Sequence, residues 1–330
     1  MFYRLVLALS VLIAAVSCSV FQPPTVPFSS SAVPMFFFTP TNSIFWYQPI
    51  PAVTNIDANS AVMIADMVRN RPQGTPTANP HTAVCYADAS TARYNVPVNA
   101  VYPPNTGIRN VPIPAYMLPH NESDSHVAII DAAGGYSYEF WQMRILNGRW
   151  VAGNAAIFSL AGNGVNPFIS ARASGFSLLA GLIWPQELFA TNIRHALVIS
   201  WANTKKGGPV APATYSDGRS DETGAIPMGA LIRLKPAFVI TSLSNTDMYQ
   251  RAIMAALQTY GGYVCDSGGF SIYCVSPQSY SSNPYVDVPS YNKEFNTIDL
   301  SMLPIDQLEV IHMGPVLATS NGYTYPGMYY

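Results

Sequence analysis

What most constrains the fold is a series of short β-branched and aromatic runs within residues 124–201, each closed by Gly, Asn or Ser. They read D-S-H-V-A-I-I-D, Y-S-Y-E-F-W-Q-M-R-I, G-R-W-V-A-G-N-A-A-I-F-S-L and I-R-H-A-L-V-I-S-W. Runs of this length and composition between turn residues are strands. Further strands are expected at 83–86, 96–101, 230–234, 263–265 and 270–275, with one firm piece at 308–313 in the tail. Many short strands with few helices point to a mainly β chain: a β-sandwich or jelly-roll-like single domain with one or two helices packed against it.

The best helix spans 245–260. Ser244 and Asp247 offer a capping-box start, Ile253, Leu257 and Tyr260 recur at helical spacing, and Gly261-Gly262 ends it. Shorter helices are expected over 61–68, behind Asn59-Ser60, and at Trp184-Pro185-Gln186-Glu187-Leu188, with Pro at the first position.

Residues 1–17 have the form of a signal peptide, with Arg4 ahead of an apolar run over 5–16 and Ala15-Val16-Ser17 as a small-x-small cleavage site. Cys18 follows a loosely lipoprotein-like A-V-S-C. The apolar run is too short for a membrane span. Residues 18–52 are proline-punctuated yet dense in aromatics, so they should lie along the domain and bury Phe36 to Phe38 and Phe45-Trp46. The core domain is placed at 53–276, and a Pro-, Tyr- and Ser-rich segment at 277–330 packs on it.

A secreted, extracellular setting agrees with the composition. Charged residues are 10% of the chain, against roughly 25% in a typical soluble domain. Lysine occurs only at 205, 206, 235 and 293, and the formal net charge is −2, so there is no basic footprint for nucleic acid. Such a surface suits neutral polar partners, an extracellular glycan or cell-wall polymer above all. Asn121-Glu122-Ser123 is a glycosylation sequon on a surface turn, as in a glycoprotein. Cys265 and Cys274 are spaced to clip a hairpin, which leaves Cys85 as a buried thiol or as the partner of one of them.

No metal-ligand spacing, cofactor fingerprint or serine-hydrolase elbow is present. Asp217-Gly218-Arg219-Ser220-Asp221-Glu222 lacks the rhythm of a calcium loop and reads as a solvated charged loop. His81 and His120 lie in Pro-, Thr- and Asn-rich loop sequence and read as solvated. The chemistry-bearing residues therefore come from the strands. Alternation places Asp124 and His126 on one face, Glu139 beside Trp141, and His195 beside Trp201. Carboxylates and imidazoles on an apolar sheet face are costly unless paired, and they are the groups that general acid–base work on a sugar needs. The expected catalytic set is His126 or His195 as base and Glu139 as acid, with Asp124 orienting His126. Trp150, Arg144, Asn154 and Asp266 are the expected substrate contacts. A non-catalytic structural, cell-wall or adhesion protein is the alternative.

The motifs D-S-H-V-A-I-I-D, Y-E-F-W, W-V-A-G-N-A-A-I-F-S-L, I-R-H-A-L, P-A-T-Y-S-D-G, I-P-M-G-A-L-I-R-L-K-P and A-L-Q-T-Y-G-G-Y-V-C-D-S-G-G, in this order, resemble a widespread family of secreted, largely uncharacterised bacterial-type β-rich proteins. The likeness covers about 124–269. It implies one continuous extracellular domain and singles out Asp124, His126, Glu139, Trp150, His195 and Asp266, without assigning them roles.

Overall fold

The computed structural model describes residues 44–71, 75–98, 107–167 and 170–317. The expected signal peptide, Cys18, Phe36 to Phe38, the end of the strand expected at 96–101 and the last residues of the tail lie outside them. Among the described residues no helix is long and apolar enough to cross a membrane.

The strands in chain order are β1 (Thr77–Ala87), β2 (Arg93–Val96), β3 (Ile108–Pro112), β4 (Val127–Asp131), β5 (Tyr136–Trp141), β6 (Arg144–Leu146), β7 (Arg149–Val151), β8 (Asn154–Ser159), β9 (Leu197–Ser200), β10 (Leu231–Leu234), β11 (Gly262–Asp266), β12 (Ser271–Val275), β13 (Tyr291–Asn292), β14 (Thr297–Asp299) and β15 (Leu308–Val310). Eleven of them form one sheet with the path β15-β10-β11-β9-β12-β1-β4-β5-β8, and β14 and β13 branch from β1. The pairs β2–β3 and β6–β7 are separate hairpins. The chain is thus mainly β and one domain, as expected. The sheet is mixed: β1 runs parallel to both β12 and β4, and β9 runs parallel to β11. A jelly roll is antiparallel throughout. Parallel strands are buried on both faces and read as continuous apolar runs, which Leu197-Val198-Ile199 and Val127-Ala128-Ile129-Ile130 are.

Two cores lie on opposite faces of the β1–β4–β5–β8 half. Ala128, Ile130, Ala156 and Phe158 face the larger one; Val127, Ile129, Phe140 and Ala155 face a smaller one closed by Val96, Ile108, Val111 and Met117. Helices α1 (Ile44–Tyr47), α2 (Ser60–Arg69), α3 (Pro185–Phe189) and α4 (Met248–Thr259) complete the fold. Helix α4 begins three residues later than the sequence suggests. Its N-cap is Asp247, whose Oδ1 accepts from the N–H groups of Tyr249 and Gln250, while Gln250 Oε1 accepts from Asp247 N. Cys265 and Cys274 are free and buried rather than clipped together: they stand on β11 and β12 with β9 between them.

The described end of the aromatic segment, residues 44–52, packs on the domain. Trp46 is buried, lies edge-on to Phe176 and Tyr263 at 5.2 and 5.3 Å, and donates from Nε1 to Asn163 O. Its backbone carbonyl accepts from Ala196 N, which ties α1 to the start of β9. Trp46→Ala removes a fully enclosed indole and is expected to cost about 3–5 kcal/mol. Urea unfolding measures this; a loss below about 1 kcal/mol would show that α1 is not part of the cooperative core.

Candidate functional site

The site begins where β1 breaks. Its pairing with β12 slips between Pro80 and Thr82, and from Ala83 onward it pairs with β4. Pro80 has no N–H to give the ladder, so an irregularity at this point costs little, and such bulges re-aim the side chain they carry. That side chain is His81. It is buried, not solvated, and so is His120, at 1% exposure.

His126 stands one residue before β4. Its Nε2 lies 3.0 Å from the carbonyl of Ala171, which can only accept, so this nitrogen carries the proton. Its Nδ1 faces His81 Nδ1 at 3.1 Å. His81 Nε2 lies 3.6 Å from Asp124 Oδ2, and Trp141 Nε1 donates to Asp124 Oδ1 at 2.9 Å. Asp124 is aimed by a tight turn in which Ser125 adopts a left-handed backbone (φ 41°), opposite Gln142 in the same region (φ 53°). Gln142 N donates to Asp124 O across this turn.

Asp124 and His126 line a cavity of about 170 Å³ together with Trp141, Asn154, Asp217, Asp266, Ser267 and Tyr273. Asp266 ends β11, beside a second register slip between Val264 and Asp266. Asp217 comes from the loop after β9. Gly218 fixes it there, because a Cβ at this position would meet Lys205 O at 2.2 Å. Ser267 joins the two carboxylates: its Oγ donates to Asp217 Oδ2 at 2.5 Å, and its N–H donates to Asp266 Oδ1. Asn154 donates to Ser170 O and accepts from Ala155 N. Tyr273 stacks on His81 at 4.5 Å and lies under the Arg172 guanidinium.

Burial sets the charge states. It pushes the Asp266 carboxyl well above the usual carboxylate range, helped by the nearby Asp217. Burial lowers His126 to about 4, with Asp124 opposing and Arg172 assisting. Burial, then His126 and His120, hold His81 well below its ordinary value. His120 falls to about 4 for the same first reason. The three imidazoles are neutral at pH 7.

Of the residues expected from sequence, the structure brings Asp124, His126, Asn154 and Asp266 to one cavity. It does not bring Glu139, His195, Arg144 or Trp150 there. Glu139, at 0% exposure, accepts from Ser137 Oγ, Ser177 Oγ and Leu178 N inside the core. His195 is paired through Nε2 with Glu187 and through Nδ1 with Ala196 O beside α3. Burial would depress that imidazole, but Glu187 outweighs it and holds the pKa above the ordinary value. Arg144 is exposed on β6, and Trp150 on β7 packs against the smaller core. His81, Asp217, Ser267 and Tyr273 complete the cavity wall or its back, and sequence reasoning gave them no part in it. For Asp217 the signal was the D-G pair in P-A-T-Y-S-D-G. No family model, curated protein or solved structure matches the chain.

Burial raises Glu139 from its ordinary 4.5 to about 7. Below about pH 4.5 this carboxyl is protonated whether the chain is folded or not. Between 4.5 and 7 the unfolded chain releases a proton that the folded chain keeps, so ionisation withdraws stability, levelling above pH 7 at about 3 kcal/mol. Glu139→Gln should therefore gain on wild type by roughly that amount across this window. Paired denaturant melts from pH 4.5 to 8 measure the difference; a gap that stays constant with pH would refute the assignment.

Proposed function

We propose that the protein acts on an extracellular polysaccharide, cleaving a glycosidic bond at the Asp124–Asp217–Asp266 cavity. The carrying observation is the placing of three carboxyl groups in one pocket, one of which, Asp266, burial shifts well above the usual carboxylate range. Glycoside hydrolysis needs such a pair, one acid to protonate the leaving oxygen and one carboxylate to activate water or to bond the sugar. Asp266 is the proton donor and Asp217, held by Ser267, the partner carboxylate. Trp141 offers ring surface for a sugar face, and Asn154 and Ser267 offer polar contacts.

The small volume favours the end of a glycan chain over its middle. Asp124 and Asp217 disfavour an anionic sugar, so a neutral one is the better partner. The signal peptide read from residues 1–17 would take the protein to such a polymer outside the cell. The acid role expected of Glu139 passes to Asp266, because Glu139 lies outside the cavity.

The test is release of reducing sugar from a panel of neutral wall polysaccharides, with folding followed by circular dichroism. Asp266→Asn and Asp217→Asn should each lower turnover by about 100-fold or more in a folded protein. Wild-type rate should fall as pH rises through the Asp266 pKa, since the acid must keep its proton. Undiminished turnover in Asp266→Asn, or wild-type protein that retains glycans without cleaving any, would overturn the reading.

A further inference from the structure

We infer that His81, His126 and Asp124 form a binding site for a divalent transition metal, zinc in the first instance, at the back of the cavity. One ligand atom from each of the three lies within 4.8 Å of the others. This goes beyond the glycan reading and stands without it.

Short of a second proton on His81, which a bound cation would replace, the hydrogen bonding of the cluster cannot be completed by protein groups alone. His126 gives its Nε2 proton to Ala171 O, so its Nδ1 bears a lone pair, and this points at His81 Nδ1, 3.1 Å away. If neutral His81 places its proton on Nδ1 to satisfy that contact, its Nε2 lone pair faces Asp124 Oδ2 at 3.6 Å. If it places the proton on Nε2, two lone pairs meet between the rings. Either tautomer leaves one acceptor set against another. A cation that accepts the lone pairs removes the conflict.

The dimensions agree. Two donor atoms bound at about 2.05 Å to a tetrahedral zinc lie about 3.3 Å apart; the two Nδ1 atoms stand at 3.1 Å and His81 Nε2 and Asp124 Oδ2 at 3.6 Å, and with one nitrogen of His81 as ligand the three ligand atoms fall within 4.8 Å of one another. Two imidazoles and a carboxylate select zinc and its first-row neighbours over calcium or magnesium, which take all-oxygen sets. The surroundings are those of ligands held from behind. A backbone carbonyl fixes the far nitrogen of His126, and the Trp141 indole N–H fixes one oxygen of Asp124.

His120 is the second, independent observation. It stacks on His81 at 5.6 Å, its side chain is fully buried, and neither ring nitrogen has a hydrogen-bond partner. An imidazole is rarely enclosed in this way without a reason. It lies against the cluster on the buried side without joining its three ligands, while Asp124 and His126 open on the cavity, where a water or a substrate oxygen can complete the coordination.

The experiment uses the full chain, stripped with a chelator and reloaded with zinc alone. Elemental analysis should give one zinc per chain, and cobalt(II) in its place should give the intense visible absorption of a tetrahedral N/O site. His126→Ala and Asp124→Asn should weaken zinc binding at least tenfold, and Trp141→Phe, which keeps an aromatic ring but loses the hydrogen bond behind Asp124, should weaken it about tenfold. Asp124 is half-exposed, so its variant keeps the site testable should a histidine variant fail to fold. Asp266→Asn should bind zinc as wild type does, which separates this site from the acid proposed for glycan cleavage. Wild-type protein that takes up no zinc, or the same zinc affinity in folded Asp124→Asn and Trp141→Phe as in wild type, would overturn the inference.

Discussion

A guanidinium buried at 1% exposure dictates much of this structure. Arg172 cannot shed its proton in a protein, so its N–H groups must find acceptors wherever the chain places them. Nη1 donates to the carbonyls of Ser177 and Ala180, and Nη2 to that of Leu178. To bring three carbonyls to one side chain the segment 170–184 must curl around it, which explains a well-defined path in a stretch with almost no regular structure. Glu139 binds the same curl from the other side through Ser177 Oγ and Leu178 N. Its negative charge, when present, compensates the cation. The curl in turn offers the carbonyls of Ser170 and Ala171 to Asn154 and His126. The cavity floor is thus set by a cation that does not itself line it.

This arrangement also explains which parts of the site could be read from sequence. Asp124, His126, Asn154 and Asp266 stand at strand ends or on the turn that leads into one, within motifs whose polar residues are conspicuous against apolar neighbours. Glu139 is equally conspicuous and lies on the same face of β5 as Trp141, but two residues along a strand is about 7 Å. That distance takes it from the cavity wall into the core, where a buried carboxylate serves Arg172's loop. Alternation identifies a face and not a position along it. His195 fails for a similar reason: its partner Glu187 lies eight residues away on α3, a pairing that no strand pattern contains.

The histidines of the cluster were hidden by their neighbours. Pro80, Thr82 and the prolines around His120 belong to turn and loop sequence, and β1 carries the first two because its ladder slips where Pro80 lacks a donor. Parallel pairing itself leaves no local signature beyond a continuous apolar run. The neighbours of β1 come from residues 127–131 and 271–275, so the contacts that bury His81 are made by chain far removed in sequence. Arg172 was equally silent, a single cation in Ser-Ala-Arg-Ala-Ser-Gly with nothing nearby in sequence to pair with.

Departures from local rules converge on the cavity with a regularity that does not depend on any reading of its chemistry. Ser125 and Gln142 take left-handed backbones beside Asp124, β1 slips at His81, β11 slips before Asp266, and Gly218 presses against the Lys205 carbonyl beside Asp217. Each left-handed non-glycine residue costs of order 1 kcal/mol or more, and each slip forfeits ladder hydrogen bonds. Had stability alone shaped this region, β1 and β11 would run straight and the acids would face solvent. Instead the irregular backbone turns three carboxyl groups and two imidazoles toward one cavity, where burial lowers the imidazoles and raises Asp266 from their ordinary ranges. Neutral imidazoles are the form that can donate a lone pair, and a protonated carboxyl is the form that can give a proton. Strain in the backbone and desolvation of the side chains thus act together on the same small set of groups.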